Sequence, residues 1–221
     1  MADARDEPRG APLLDLVAVQ DRLRSPGGCP WDAEQTHASL VPYLLEEAYE
    51  TLEAIETGDR AHLREELGDL LLQIVFHARI AEEHPTDPWS IDDVAAGITD
   101  KLVRRHPHVF GDATADTAAE VEVNWEQLKT AEKGRTSLTD GVPLAQPALA
   151  LADTLSRRAA RAGVPDDAQP DGDDIGARLF RLAAEARAAG IDPEAALRAT
   201  SRQFRDRITA WERSAAPPAT A

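Results

Sequence analysis

Residues 44–80 read LLEEAYETLEAIETGDRAHLREELGDLLLQIVFHARI, and the placement of their acids governs everything around them. On an α-helix, residues three and four apart share a face. Glu47 and Glu50 are therefore neighbours, with Glu46 and Glu53 on the adjoining edge and Leu45, Ala48, Leu52 and Ile55 on the opposite face. Glu66 and Asp69 repeat the three-residue offset where Leu70, Leu71, Leu72, Ile74, Val75 and Phe76 surround nearly the whole helix, so Asp69 is expected inside or beside a core. Gly58 should stop the first helix and Asp59 should cap the second, which predicts an antiparallel hairpin with two acids from each helix converging. A buried carboxylate without a partner is very costly, and such groups are found paired or on a metal. Too few cations lie nearby in these helices to pair all four acids. Four carboxylates make a hard oxygen cage suited to magnesium, or to manganese in its place. The competing reading is a solvated acidic face. Two clusters on consecutive helices, one of them strongly apolar, weigh against it.

Working outward, Leu13, Leu16, Val17, Val19 and Leu23 fit a helix that the SPGG of residues 25–28 stops. Asp32 and Gln35 have capping-box spacing and predict a short helix through AEQTHASL, residues 33–40. The first hairpin helix should begin near Pro42 and the second should run from Arg60 to Glu83. Ser90 and Asp93 should cap a helix that Pro107 terminates, and residues 120–133, EVEVNWEQLKTAEK, read as a fifth. No segment alternates as a strand, and the fold class is all-α.

Residues 66–79, ELGDLLLQIVFHAR, align without a gap on residues 174–187, DIGARLFRLAAEAR, and DKLVRR at 100–105 aligns with RQFRDR at 202–207. Two amphipathic helices can share such features by chance. Taken as a duplication, the second copy has lost its chemistry: Asp174 faces Glu66, but Ala177 stands for Asp69 and Gln203 for Lys101. The expected organisation is a disordered stretch over 1–12, a first, catalytic repeat over 13–135 and a linker over 136–147. A degenerate second helical repeat over 148–213 and a disordered tail over 214–221 complete it.

Composition bounds the function. The 221 residues are 43% hydrophobic and 29% charged but only 5% aromatic, which favours a helical core of Leu, Ala, Val and Ile. A net charge of −16 argues against nucleic-acid binding, although cations held by carboxylates can still meet phosphates. Cys29 is the only cysteine, so neither an intrachain disulfide nor a thiolate zinc site is expected. No stretch reaches the roughly 18 apolar residues of a membrane span, and no leader pattern opens the chain; the expected location is cytoplasmic.

A phosphate ligand also needs cations. Lys101 and Arg105 lie one helical turn apart, and Trp125 and Lys129 repeat that offset, pairing a charge for phosphate with a ring for base or ribose. Basic residues near a helix C-terminus also suit the helix dipole, Trp125 could equally anchor a core, and His106 and His108 read as caps or ligands.

These motifs together resemble the MazG family of all-α nucleoside triphosphate pyrophosphohydrolases. The resemblance rests on GCPWDAEQT, EEAYE, EELGD, DKLVRRHPHVF and WEQLK in that order, from about Leu13 to Lys133. It implies that Glu47, Glu50, Glu66 and Asp69 are magnesium ligands. It also implies that Lys101, Arg105, Trp125 and Lys129 contact the nucleotide, and that Trp31 approaches the base. The implied reaction is hydrolysis of a nucleoside triphosphate to monophosphate and pyrophosphate, with Glu46 as a candidate base, in a homodimer whose helices form a shared bundle. The implied role is removal of damaged or surplus nucleotides, or stress-linked control of their pools. The second half lacks the Glu pair and the Asp, so one active repeat per chain is expected. The alternatives are a narrower deoxynucleotide or phosphoribosyl-ATP pyrophosphohydrolase, and a non-catalytic helical dimer that binds nucleotide or a partner protein.

Overall fold

The computed structural model describes residues 10–115, 117, 118, 120, 121, 124, 125 and 137–215; among these the regular structure is helical, with no strand. The chain divides after Trp125 into two compact units.

The first unit is built from α1 (Ala11–Arg24), α2 (Pro30–Glu34), α3 (Val41–Thr57), α4 (Arg60–Ala81), α5 (Ile91–Arg105) and the single turn α6 (Pro107–Phe110). Since α1 begins at Ala11, residues 10–12 belong to an ordered helix start and not to a disordered stretch. The SPGG turn folds back tightly. A Cβ on Gly28 would meet the Leu23 and Arg22 carbonyl oxygens at 2.2 and 2.4 Å, so only glycine fits.

The expected cap at Asp32 is displaced. Helix α2 starts three residues earlier, with Pro30 at its first position and Cys29 before it, while Asp32 is buried inside the helix and Gln35 closes it. Proline at a first helical position supplies a preset φ where no N–H is needed, and here that outweighs the capping-box spacing.

Helices α3 and α4 form the expected hairpin and pack more extensively than any other pair. Gly58 ends α3 in the left-handed region at φ 74°, its N–H bonded to the carbonyls of Ala54 and Ile55. One residue on, the Asp59 Oδ1 accepts from the backbone N–H of Ala61 (3.0 Å) and His62 (3.1 Å) to start α4. Thr51 and Ala54 are buried and Glu47 half-buried, whereas Leu45, Ala48 and Ile55 are exposed. The face of α3 that bears Glu47, Thr51 and Ala54 therefore meets α4, while Glu46, Glu50 and Glu53 stay exposed and Leu45, Ala48 and Ile55 point outward.

Helix α1 packs on α4 through Arg79, whose Nε donates to Asp21 at 2.7 Å. Leu40, Val75, Phe76, Ala78 and Ala81 form the buried apolar core. The predicted capping box opens α5, with Ser90 N–H donating to Asp93 (2.8 Å) and Asp92 N–H to Ser90 Oγ (3.2 Å). Pro107 ends it as expected and then begins α6. Of the predicted fifth helix at 120–133, residues 126–133 lie outside the described residues.

In the second unit, α7 (Ala148–Arg161), a 3-10 turn at Asp166–Ala168, α8 (Ile175–Ala188) and α9 (Pro193–Ala215) follow a turn at residues 137–141. That turn carries its own Ser137–Asp140 bonds and ends on buried Val142, so this part of the expected linker is folded. Helix α9 continues through residues 214 and 215 of the expected tail. Arg187 of α8 donates to Asp153 of α7 at 2.7 Å. This bond matches Arg79 to Asp21 in the first unit, and its donor is the residue that the internal alignment pairs with Arg79.

Candidate functional site

The hairpin places acids face to face. Glu47 of α3 and Glu66 and Asp69 of α4 each bring a carboxylate oxygen within 4.8 Å of the others. Glu66 is the buried member at 6% exposure, while Asp69, expected inside or beside a core, is half-buried. One Glu66 oxygen accepts from His62 Nε2 at 2.8 Å, and Oε2 is buried with no hydrogen-bond partner. Burial pushes the Glu47 carboxyl above its ordinary range, and the charges of Asp69, Glu50, Glu66 and Glu46, in that order, push it the same way. An orphaned carboxylate oxygen beside acids that disfavour the charge on Glu47 fits a divalent cation with oxygen ligands. Glu50 is exposed and outside the group of three, as is Glu46, though both act on Glu47 electrostatically.

Helix α5 packs on α4 and carries Lys101, half-buried, and Arg105, buried at 4% exposure. The Arg105 guanidinium lies 5.7 Å from the Trp125 ring centroid, within cation–π range. Lys129 lies outside the described residues. Trp31 is 48% exposed and meets Tyr43 (5.9 Å, 83°) and Phe76 (6.3 Å, 64°) edge-on. Arg24 fixes this corner by donating to the Asp32 and Gln35 carbonyls and, through Nε and Nη2, to Glu83 at 2.8 and 2.9 Å. That bond to Arg24 is the first cause of a lowered Glu83 carboxyl.

Sequence reading missed His62, for which the four-residue offset to Glu66 was the available signal. It also missed the pair His37 and His77, whose Nδ1 atoms lie 2.8 Å apart, one donating and one accepting, with His37 stacked on Trp89. Burial, then the charge of His37, holds His77 below the ordinary imidazole range. Nothing in the spacing of residues 37 and 77 signals that meeting. An apolar cavity of about 300 Å³ lies in the second unit between α7, the 164–170 loop and Phe180. No acid lines it, so the metal-competent chemistry belongs to the hairpin.

The MazG nucleotide pyrophosphohydrolase domain matches residues 35–110, which contain the whole acidic group. A nucleoside triphosphate pyrophosphohydrolase/pyrophosphatase MazG of Thermotoga maritima is 38% identical over 222 residues, covering 90% of this chain and 84% of that protein. A nucleoside triphosphate pyrophosphohydrolase of Mycobacterium tuberculosis is 43% identical, covering 98% of this chain but 63% of its own length. An uncharacterized 26.1 kDa protein of Streptomyces cacaoi is 55% identical over 92% of this chain and 84% of its own.

Proposed function

We propose, from the premise that the chain belongs to the MazG family, that it hydrolyses nucleoside triphosphates to monophosphate and pyrophosphate with a divalent metal. The orphaned, buried Oε2 of Glu66, whose carboxylate lies within 4.8 Å of those of Glu47 and Asp69, carries this reading. Glu47, Glu66 and Asp69 would hold magnesium, with manganese as a substitute, and Glu50 would join them from the rim. When bound, such an ion neutralises triphosphate charge and lowers the pKa of a water.

The chain's own residues supply the remainder. Lys101 and Arg105 project from one face of α5 toward phosphate oxygens, and Lys129 adds a third cation. Trp125 stacks beside the nucleotide with Arg105 against its ring, and the exposed face of Trp31 approaches the base. Glu46, next in sequence to the ligand Glu47, would take a proton from attacking water.

Two further readings belong here. The half-exposed Leu45, Tyr49 and Ile55 of α3 and Leu67 and Ile74 of α4 give the hairpin an uncovered apolar surface, which suits a homodimer with a shared helical bundle. The second unit reads as a degenerate repeat: it keeps the Arg–Asp bond, but Asp174, aligned with Glu66, caps α8 by accepting from Ala177 N–H at 3.0 Å. The proposed repeats, read from the sequence over 13–135 and 148–213, correspond to α1 to α6 and α7 to α9, and the proposed setting is cytoplasmic nucleotide-pool cleansing or pool control. Among the described residues no helix is long and apolar enough to cross a membrane.

The test is pyrophosphate release from a panel of canonical and modified nucleoside triphosphates with magnesium, comparing wild type with Asp69→Ala. Paired monophosphate and pyrophosphate from the wild type alone are expected. No turnover of any triphosphate would sink the hydrolase reading.

A further inference from the structure

A carboxylate at a metal site has two oxygens and a soft terminal torsion, so something must decide which oxygen faces the ion. For Glu66 the structure contains one such group. His62 stands one turn earlier on α4, and its Nε2 reaches Glu66 Oε1 at 2.8 Å while Oε2 remains buried and without a partner. His62 is itself held from behind: its backbone N–H donates to the Asp59 side chain at 3.1 Å, in the first turn of the helix. A chain of fixed contacts thus runs from the Gly58–Asp59 turn through His62 to the carboxylate beside Glu47 and Asp69.

We propose that His62 is a positioning residue for the metal site: by donating its Nε2–H to Glu66 Oε1 it keeps the other oxygen turned toward Glu47 and Asp69. The inference rests on the metal-dependent reading above. It needs no change of charge on the ring, only the donor in place. The His62 side chain is 40% exposed, so its removal leaves no core cavity and opens the vacated space to water, which can take over the bond to Glu66 Oε1. A loss of metal affinity would therefore report on orientation.

The experiment is Mn2+ binding, by calorimetry and by electron paramagnetic resonance, to full-length wild type, His62→Ala, His62→Gln and Glu66→Gln. The apparent magnesium requirement and KM for a nucleoside triphosphate are measured alongside. Removing an outer partner of a ligand typically weakens metal binding about 10–100-fold. His62→Ala should raise the Mn2+ Kd by about tenfold or more with an unchanged melting temperature. His62→Gln, whose amide can donate the same bond, should recover most of that loss, and KM at saturating metal should be nearly constant. If Glu66→Gln loses Mn2+ while His62→Ala binds it like the wild type, His62 does not position the ligand and the inference is wrong. If Ala and Gln are equally impaired, the ring matters for another reason and the inference is again wrong. A wild type that neither binds Mn2+ nor releases pyrophosphate overturns the metal-dependent reading itself, an outcome distinct from both.

Discussion

Replacing Glu66 by Gln should raise the stability of the metal-free protein while abolishing its response to metal. The reason is the two unlike oxygens of that carboxylate. Oε1 is bonded to His62, and Gln can accept the same bond; Oε2 is buried and orphaned, in a carboxylate grouped with those of Glu47 and Asp69. An amide nitrogen in its place donates hydrogen bonds to those neighbours. Leaving a buried polar group unsatisfied costs about 1–3 kcal/mol, so a gain of about 2 kcal/mol is expected. For a chain of 221 residues that corresponds to a rise of about 4–8 °C in Tm. Magnesium at about 100 times its Kd should stabilise the wild type by about 2.7 kcal/mol and leave the variant unchanged. The two proteins should thus exchange rank as metal is added. Differential scanning fluorimetry with and without magnesium reads this directly. A variant that melts below the metal-free wild type, or that still shifts with magnesium, would refute the reasoning.

Glu47 predicts a pH dependence of matching sign. Its carboxyl is raised above 4.5 by burial and neighbouring charge, so its ionised form destabilises the metal-free fold at neutral pH, and that cost disappears as pH falls through the raised value toward 4.5. Glu47→Gln should therefore melt above the metal-free wild type at pH 7, and the gap should close by about pH 4.5 in a melting series. Ile55→Arg with Leu67→Arg, which charge the exposed apolar faces of α3 and α4, should convert a dimer to monomer by sedimentation velocity; an unchanged mass would place the interface elsewhere. Arg105→Lys keeps the charge but loses the planar contact with Trp125, worth about 1–2 kcal/mol. It should raise KM for nucleotide about 5- to 30-fold with little change in kcat; an unchanged KM would remove the pair from the binding site.

The order of helices was legible because its punctuation is local: Gly58 and Asp59 at the hairpin, Ser90 with Asp93, and Pro107 each act through their own backbone. The three-residue spacing of acids was legible in the same way, and Glu47, Glu66 and Asp69 do meet. What failed was the assignment of surroundings. Periodicity divides α3 into an acidic edge and an apolar face but does not say which part its neighbour covers, and here Glu47, Thr51 and Ala54 are covered while Leu45, Ala48 and Ile55 are not. For the same reason Asp69, within its apolar run, is less buried than Glu66. The His37–His77 contact joins residues 40 apart, and no local rule reaches that far.

The Arg–Asp bond shared by the two units also bears on how quickly each can close. In the first unit it joins residues 58 apart in the chain, because the α2–α3 segment intervenes; in the second it joins residues 34 apart. Loop-closure entropy grows as (3/2)RT ln n, so the shorter loop is cheaper to close by about 0.5 kcal/mol, or about twofold in rate from this contribution alone. The half without the acidic group is thus the half in which this bond closes the shorter loop, and the faster of the two to bring those ends together.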